Sequence, residues 1–364
     1  MISVSIVNVT SYTGLELLRL LAQHPHFILT SVTARSAVGK RLDEVFPQLT
    51  SRPNVGDKEH ISLDPGLVIT EEPARTDLAF VCLPHAAAAR SVLSLLERGT
   101  RVVDLSADFR LHDAALYEEW YKHVHPAPAL LETAVYGLCE RYRERIEGAT
   151  LVANPGCFAT AAILGLAPAL AAGIIAPDVI IDAKSGVSGA GRSPTPGTHY
   201  AEVNEDVSAY SLAGHRHLPE ITQELEAAAL AGGHPVNRSL PLRITFIPHL
   251  IPMTRGILAT CYAELNQDKP GSAFTTAEVG SLYAEYYANE PFIHVVDQPP
   301  HTKWTYASNA CFIYPMVDTR TRRLLVISCL DNLVKGAAGQ AIQNANRLYG
   351  LPETSGLPAV AVFP

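Results

Sequence analysis

The stretch Asn154-Pro155-Gly156-Cys157-Phe158-Ala159-Thr160 sets a cysteine between a short apolar strand, residues 150–153, and a small-residue, leucine-rich helix, residues 160–172. Pro155 and Gly156 supply the turn. A thiol near a helix N-terminus meets unpaired N–H groups and the positive end of the helix dipole. Its pKa falls and its nucleophilicity rises. The competing reading is a small buried apolar residue, as most free cysteines are. A thiol nucleophile also needs a base within hydrogen-bond reach. Tyr210-Ser211-Leu212-Ala213-Gly214-His215-Arg216-His217-Leu218-Pro219-Glu220 offers two histidines just before an amphipathic helix that Glu220 opens and that runs to Leu230. Histidines two apart also suit metal on a strand, but no carboxylate or thiol stands at a recognisable ligand spacing, so metal is set aside. Acid–base work by His215 or His217 is better motivated, with structural burial as the alternative for either.

Anion recognition has several candidates. Residues 184–193, Lys-Ser-Gly-Val-Ser-Gly-Ala-Gly-Arg-Ser, follow a strand at 179–183 and read as a close-approach loop with donors for an anion, with Lys184 and Arg192 adding charge. A linker is the alternative. Arg110 ends a polar cluster, residues 104–110, just past a strand at 101–105, and can pair bidentately with carboxylate or phosphate, or bridge to Asp104 or Asp108. Arg255 follows a strand at 245–252.

The elements that position these groups begin at residue 2. A strand at 2–9, a turn at 8–14 and a helix at 15–21 open a βαβ dinucleotide-binding unit. Glycines are wanted at 8, 11 and 14; only Gly14 is present. Asn8 tolerates a left-handed backbone and Ser11 keeps the loop small. A plain strand–helix turn is the competing reading. The second strand, 28–33, ends in Ala34-Arg35-Ser36 with Lys40 beyond, where an NAD site carries an acid. A cation and a hydroxyl suit a 2′-phosphate, hence NADP; a solvated arginine is the alternative. A buried strand at 78–83 ends at Pro84-His85 and an alanine-rich helix follows to Glu97. Strands at 258–265 and 324–330 give the second half a mixed or antiparallel sheet, and a small-residue helix starting at 331 runs to about Leu348.

With 364 residues, 48% hydrophobic, 18% charged and a net charge of −8, the chain suits two soluble α/β domains. No basic run is present, which argues against nucleic acid and acidic membranes. Six scattered cysteines without a Cys-x-x-Cys pair argue for reduced thiols. The longest apolar stretch, 161–176, is broken by Gly165, Pro168 and Gly173. No leader is recognised at the N-terminus, and a cytoplasmic location is expected.

Residues 104–110, 136–138, 154–160, 184–192, 215–220, 248–256 and 331–344, in this order, make the chain resemble the N-acetyl-gamma-glutamyl-phosphate reductase family of the aspartate-semialdehyde dehydrogenase-like group, over nearly its whole length. The resemblance implies a Rossmann-type NADP-binding domain, 1–153, completed by 331–364. It also implies an α+β catalytic and oligomerisation domain, 154–330, with a mixed, largely antiparallel sheet. The implied reaction is NADPH-dependent conversion of N-acetylglutamyl phosphate to its semialdehyde and inorganic phosphate through a Cys157 thioester, in arginine biosynthesis. His217 or His215 is the implied base, with His217 preferred for its place three residues before Glu220. Implied cofactor contacts are Thr10, Ser11, Tyr12, Thr13, Gly14, Arg35, Ser36, Pro84, Ser188, Gly189 and Asn332. Implied substrate contacts are Arg110, Asn154, Lys184, Ser185, Arg192, Glu220 and Arg255. A homodimer or homotetramer built through the second sheet is implied, with no metal, nucleic acid or membrane. Asn8 and Ser11 depart from the family's glycines. Sibling activities on aspartyl phosphate or carrier-held aminoadipyl phosphate, and a catalytically silent NADP-binding protein, are the alternatives. His-x-His-x-Pro-Glu disfavours the aspartyl sibling, the lack of a basic patch disfavours the carrier-held substrate, and Cys157 with the histidine pair disfavours the silent protein.

Overall fold

Apolar runs bounded by turn residues become strands at nearly every expected place in the computed structural model, which describes residues 1–49, 63–234, 236, 241–266 and 274–363. Two compact units form: Met1–Pro155 with Ala337–Pro358, and Gly156–Gly336 with Ala359–Pro364. The small-residue segment thus divides after Gly336, leaving residues 331–336 in the second unit.

The first unit holds β1 (Ile2–Val7), β2 (Phe27–Thr33), β3 (Leu78–Val81), β4 (Arg101–Asp104), β5 (Val135–Tyr136) and β6 (Leu151–Ala153). They lie in the order β2-β1-β3-β4-β6-β5, every pairing parallel. All four residues of β3 are buried, as expected where helices cover both faces of a parallel sheet. One face packs Ile6, Phe80 and Val103 with Leu17 and Leu21, and with Ala341, Ile342 and Ala345 of the helix Gly339–Leu348. The other packs Val81 and Val102 against Val92 and Leu95. Strand order reverses between β1 and β3, so their carboxyl ends flank the crevice where such sheets bind ligands.

The second unit holds β7 (Ile175–Gly186), β8 (Ser208–Ala209), β9 (Arg243–Ile251), β10 (Ile257–Leu265), β11 (Ile293–Val295), β12 (Cys311–Asp318) and β13 (Arg323–Leu330), ordered β11-β12-β13-β10-β7-β9-β8. The β11–β12 and β7–β9 pairings are parallel and the rest antiparallel. The helix Cys157–Ala171 is buried nearly all round, which its leucine, alanine and glycine surface permits. Tyr283 and Tyr287 donate their hydroxyls to its Gly165 and Leu164 carbonyls at 2.8 and 2.6 Å. Alternate residues of the sheet point the other way. Ile180, Leu258, Tyr262, Tyr314, Met316, Leu325 and Ile327 form an apolar face that stays partly or largely exposed.

Two helix starts differ from the sequence reading. The first helix of the second unit opens at Cys157, not Thr160, because Gly156 is extended and its carbonyl already accepts from the Thr160 N–H at 2.8 Å. The last begins after residues 331–333, because the Asp331 carboxylate takes the Leu333 and Val334 N–H groups at 2.8 and 3.2 Å. A π-helical turn, Val334–Ala338, follows.

Burial makes the fold acid-sensitive. His24 stacks on Phe27 at 4.1 Å and its Nδ1 accepts from the N–H groups of His26 and Phe27. Burial lowers its pKa from 6.5 to about 4, and burial with Arg216 does the same to His215. A histidine held neutral binds fewer protons folded than unfolded. Its contribution is complete above pH 6.5 and is lost as pH falls toward 4. Thermal unfolding is expected to shift to lower temperature across that window. His24→Gln is expected to flatten the first unit's share of the slope; an unchanged slope would refute this assignment.

Candidate active site

Cys157 is the first residue of its helix, and the glycine before it has no side chain to cap the free N–H groups. The Gly156 N–H instead meets Glu220 Oε1 at 2.8 Å. Glu220 is fully buried in the first turn of the helix Leu218–Ala231, where Pro219 fits because a first-turn residue needs no N–H partner. Cys157 is partly exposed, whereas the other five cysteines are buried. Burial pushes the Cys82 and Cys261 thiols up to about 12 and leaves them inert. Gly336 lies against Cys157: a Cβ there would sit 2.8 Å from Cys157 Cβ.

His215 is 8% exposed, ringed by Phe158, Tyr210, His217 and Phe246 at centroid distances of 5.7, 5.6, 4.8 and 5.4 Å. Its Nδ1 accepts the His217 N–H at 3.1 Å. His217 is half-buried and stands directly before the helix Leu218–Ala231, its ring 6.1 Å from that of Phe158. Tyr210 was missed as a site residue. Burial, then the nearby Cys157, raises its pKa well above the ordinary value, so it stays a phenol. A lone tyrosine upstream of the histidines carries no sequence signal of that role.

The expected substrate residues take the following places. Asn154 is buried with every polar group engaged. Its N–H donates to Asp104 and its carbonyl accepts from Arg110 Nε at 2.8 Å; its side chain donates to the Ala337 carbonyl and accepts from Asn344 at 3.0 Å. Arg110 is turned inward, donating to the carbonyls of Asn154 and Leu105 at 2.8 and 2.9 Å. Lys184, Ser185 and Gly186 belong to β7, paired on both sides by β9 and β10, so the loop begins only at Val187. Lys184 Nζ pairs with Asp182 at 2.6 Å, and His249 Nδ1 lies 3.1 Å from the other Asp182 oxygen. Ser185 is buried on its own strand, its Oγ on the Gly186 carbonyl. Arg192 and Gly189 lie exposed on the loop beyond. Arg255 reaches Asp331 at 3.4 Å. Buried Asn332 joins two turns, accepting from the Gly256 N–H at 2.8 Å and donating to Ser188 Oγ at 3.0 Å.

In the first unit the crevice loops are tightly built. Asn8 has φ 68°, the left-handed conformation a glycine would adopt, and its side chain donates to the Cys82 carbonyl at 2.9 Å, tying the loops after β1 and β3. Ser11 Oγ accepts from the Gly14 N–H at 3.0 Å and caps the helix Tyr12–Leu21, which also holds Thr13. A Cβ on Gly14 would lie 2.7 Å from the Asn8 carbonyl oxygen. Arg35 and Ser36 are exposed just past β2, and Pro84 is exposed past β3. The buried Asp108 carboxylate accepts from Ala86, Ala88 and Ala89 N–H groups and the Tyr117 hydroxyl, fixing the turn after Pro84. A capped helix N-terminus at the switch point with a cation past β2 fits a dinucleotide phosphate and a 2′-phosphate. Arg35→Ala is expected to raise KM for NADPH about tenfold or more while leaving NADH nearly unchanged; an unaltered preference would remove Arg35 from the site. Among the described residues no group of three or more His, Cys, Asp or Glu is placed to hold a metal, and no helix is long and apolar enough to cross a membrane.

These two units define a class. Residues 3–149 match the NAD binding domain of semialdehyde dehydrogenase, and residues 157–332 match its dimerisation domain. Solved aspartate semialdehyde dehydrogenases share the fold: the NADP complex from Candida albicans has TM-score 0.66 and 16% identity, and the second enzyme of Vibrio cholerae, complexed with ASA, has 0.65 and 14%. Each comparison covers 96% of this chain and 98% of the other. Curated relatives named N-acetyl-gamma-glutamyl-phosphate reductase are much nearer in sequence. The relative from Dehalococcoides mccartyi (strain CBDB1) is 53% identical over 99% of this chain and 98% of its own, and that from Heliobacterium modesticaldum is 47% identical over the full length of both. The chain belongs to the N-acetyl-gamma-glutamyl-phosphate reductase family.

Proposed function

We propose that this protein catalyses NADPH-dependent reduction of N-acetyl-L-glutamyl 5-phosphate to N-acetyl-L-glutamate 5-semialdehyde, releasing phosphate, in arginine biosynthesis in the cytoplasm. The observation that carries the reading is one partly exposed cysteine at the start of a fifteen-residue helix, with a histidine pair packed around the next residue, Phe158. Cys157 Sγ attacks the acyl-phosphate carbon, phosphate departs, and a thioester forms. First-turn N–H groups of the Cys157 helix hold the developing oxyanion. NADPH, when bound, would supply the hydride that takes the thioester to the thiohemiacetal oxyanion. His217 takes the thiol proton and returns it to sulfur when the thiohemiacetal collapses to aldehyde. His215 is the less suitable base, because its Nδ1 is committed to the His217 N–H and its pKa is lowered to about 4 by burial and then Arg216. His217→Asn is therefore expected to lose about 10²–10⁴-fold in kcat, whereas His215→Asn chiefly lowers thermal stability. The reverse pattern would exchange their roles.

The partly exposed apolar face of the second sheet supports self-association into a homodimer or homotetramer, with two or four chain masses expected by light scattering. The first test of the reaction is absorbance of the reduced nicotinamide with N-acetylglutamate semialdehyde, phosphate and NADP⁺. Reduction that vanishes without phosphate, and falls with NAD⁺ or aspartate semialdehyde, is the expected result. Phosphate-independent turnover or none would overturn the proposal.

A further inference from the structure

The buried carboxylate behind the nucleophile has a job that the reaction scheme does not give it. Gly156 is gripped at both ends: Glu220 Oε1 accepts its N–H at 2.8 Å, and its carbonyl accepts from the Thr160 N–H and hydroxyl at 2.8 and 3.1 Å. Glu220 is fully buried and sits within the Leu218–Ala231 helix, whose Ile221, Glu224, Leu225 and Ala228 are also buried. The far end of that helix is fixed to the same partner. Gly232 packs so closely on the Ala171 backbone, where the Cys157 helix ends, that no Cβ fits. The two helices therefore run side by side, locked at their C-terminal ends by Gly232 on Ala171 and at their N-terminal ends by Glu220 on Gly156.

We infer that Glu220 is a positioning residue for Cys157: its side-chain acceptor holds the Gly156 amide and so fixes the turn that presents the sulfur. This rests on Cys157 being the nucleophile. It gives Glu220 a role other than substrate contact, since the carboxylate is wholly enclosed and reaches the backbone one residue before the cysteine. Removing the acceptor strands a buried N–H, and the first turn must shift to re-satisfy it. A displacement of that kind at a reacting atom costs rate without costing substrate affinity.

The test reads sulfur reactivity as well as turnover, so it stands apart from the identity of the substrate. Iodoacetamide labelling of Cys157, followed by mass spectrometry at pH 7, is compared in wild type, Glu220→Gln and Glu220→Ala. Glu220→Gln keeps an acceptor and is expected to label within about twofold of wild type; Glu220→Ala is expected to label at least about fivefold more slowly. In the semialdehyde assay Glu220→Ala is expected to lose about 10-fold or more in kcat, with KM within about threefold. Equal labelling in wild type and Glu220→Ala, or Glu220→Gln as slow as Glu220→Ala, overturns the inference, as does a rise in KM with kcat unchanged. If Glu220→Ala unfolds below the assay temperature, Glu220→Asp, one methylene short of the amide, replaces it under the same thresholds. A wild-type protein that labels at Cys157 but turns over none of the substrates defeats the proposed reaction and leaves the labelling comparison intact.

Discussion

Cys157→Ser is expected to lower kcat for phosphate-dependent semialdehyde oxidation by at least about 10³-fold, with NADP⁺ affinity within twofold and the melting temperature unchanged. The helix dipole is worth about 0.3–1 kcal/mol to a thiolate at its N-terminus, less than one pKa unit. A shift that small leaves most of an ordinary thiol protonated at pH 7, so the helix start alone does not make the thiolate. A histidine must carry the remaining proton, which is why the His215–His217 cluster around Phe158 belongs to the same argument. Serine in that place keeps the size and the turn, but an alcohol is far too weak an acid for the same helix and the same base to activate. The other cysteines do not substitute, because each is buried. Retention of more than a tenth of the wild-type rate would mean that no thioester lies on the path.

Most of the fold was legible because its signals are local. A continuous apolar run such as Leu78–Val81 reads as a strand buried on both faces, whereas the strand Cys311–Asp318 alternates in burial and not in residue type and has no place in the sequence reading. Asn8 was read as the left-handed residue of the first turn, and its φ of 68° agrees. What failed to show was non-local. The run of Ser and Gly after residue 184 looks like a loop, yet pairing with β9 and β10 on both sides holds Lys184 to Gly186 in the strand, and pleating sends Lys184 to the outward face with Asp182. Nothing local shows that Arg110 donates its Nε to the Asn154 carbonyl, 44 residues away. Asn154 in turn is satisfied by Asn344, a partner 190 residues distant that no local pattern could name. Glu220 and Asp108 follow the same logic: each is a buried carboxylate whose meaning lies in the backbone N–H groups it accepts from.

Gly336→Ala is expected to cost about 10²-fold in kcat while leaving NADPH binding and the oligomeric state unchanged. The added methyl would lie 2.8 Å from Cys157 Cβ and 3.2 Å from both Cys157 Cα and Leu330 Cδ1. None of these atoms is the free end of a flexible side chain except the last. Gly336 itself is tethered, its N–H donating to the Asp331 carbonyl at 2.9 Å, and the Asp331 carboxylate is held by the Ala307, Leu333 and Val334 N–H groups. The strain must therefore fall on the cysteine, whose turn is fixed from behind by Glu220. The cost arises because a sub-ångström displacement of the sulfur spoils its approach to the acyl carbon, while groups that bind the rest of the substrate stay where they are. Gly280 supplies the control. It lies within the helix Thr276–Tyr286 with nothing near its would-be Cβ, so Gly280→Ala is expected to leave kcat unchanged and to stabilise the fold by about 0.5–1 kcal/mol through helix propensity. Equal losses in the two variants would point to a general intolerance of alanine and defeat the steric argument. A kcat for Gly336→Ala within about threefold of wild type would show that the turn has room to yield.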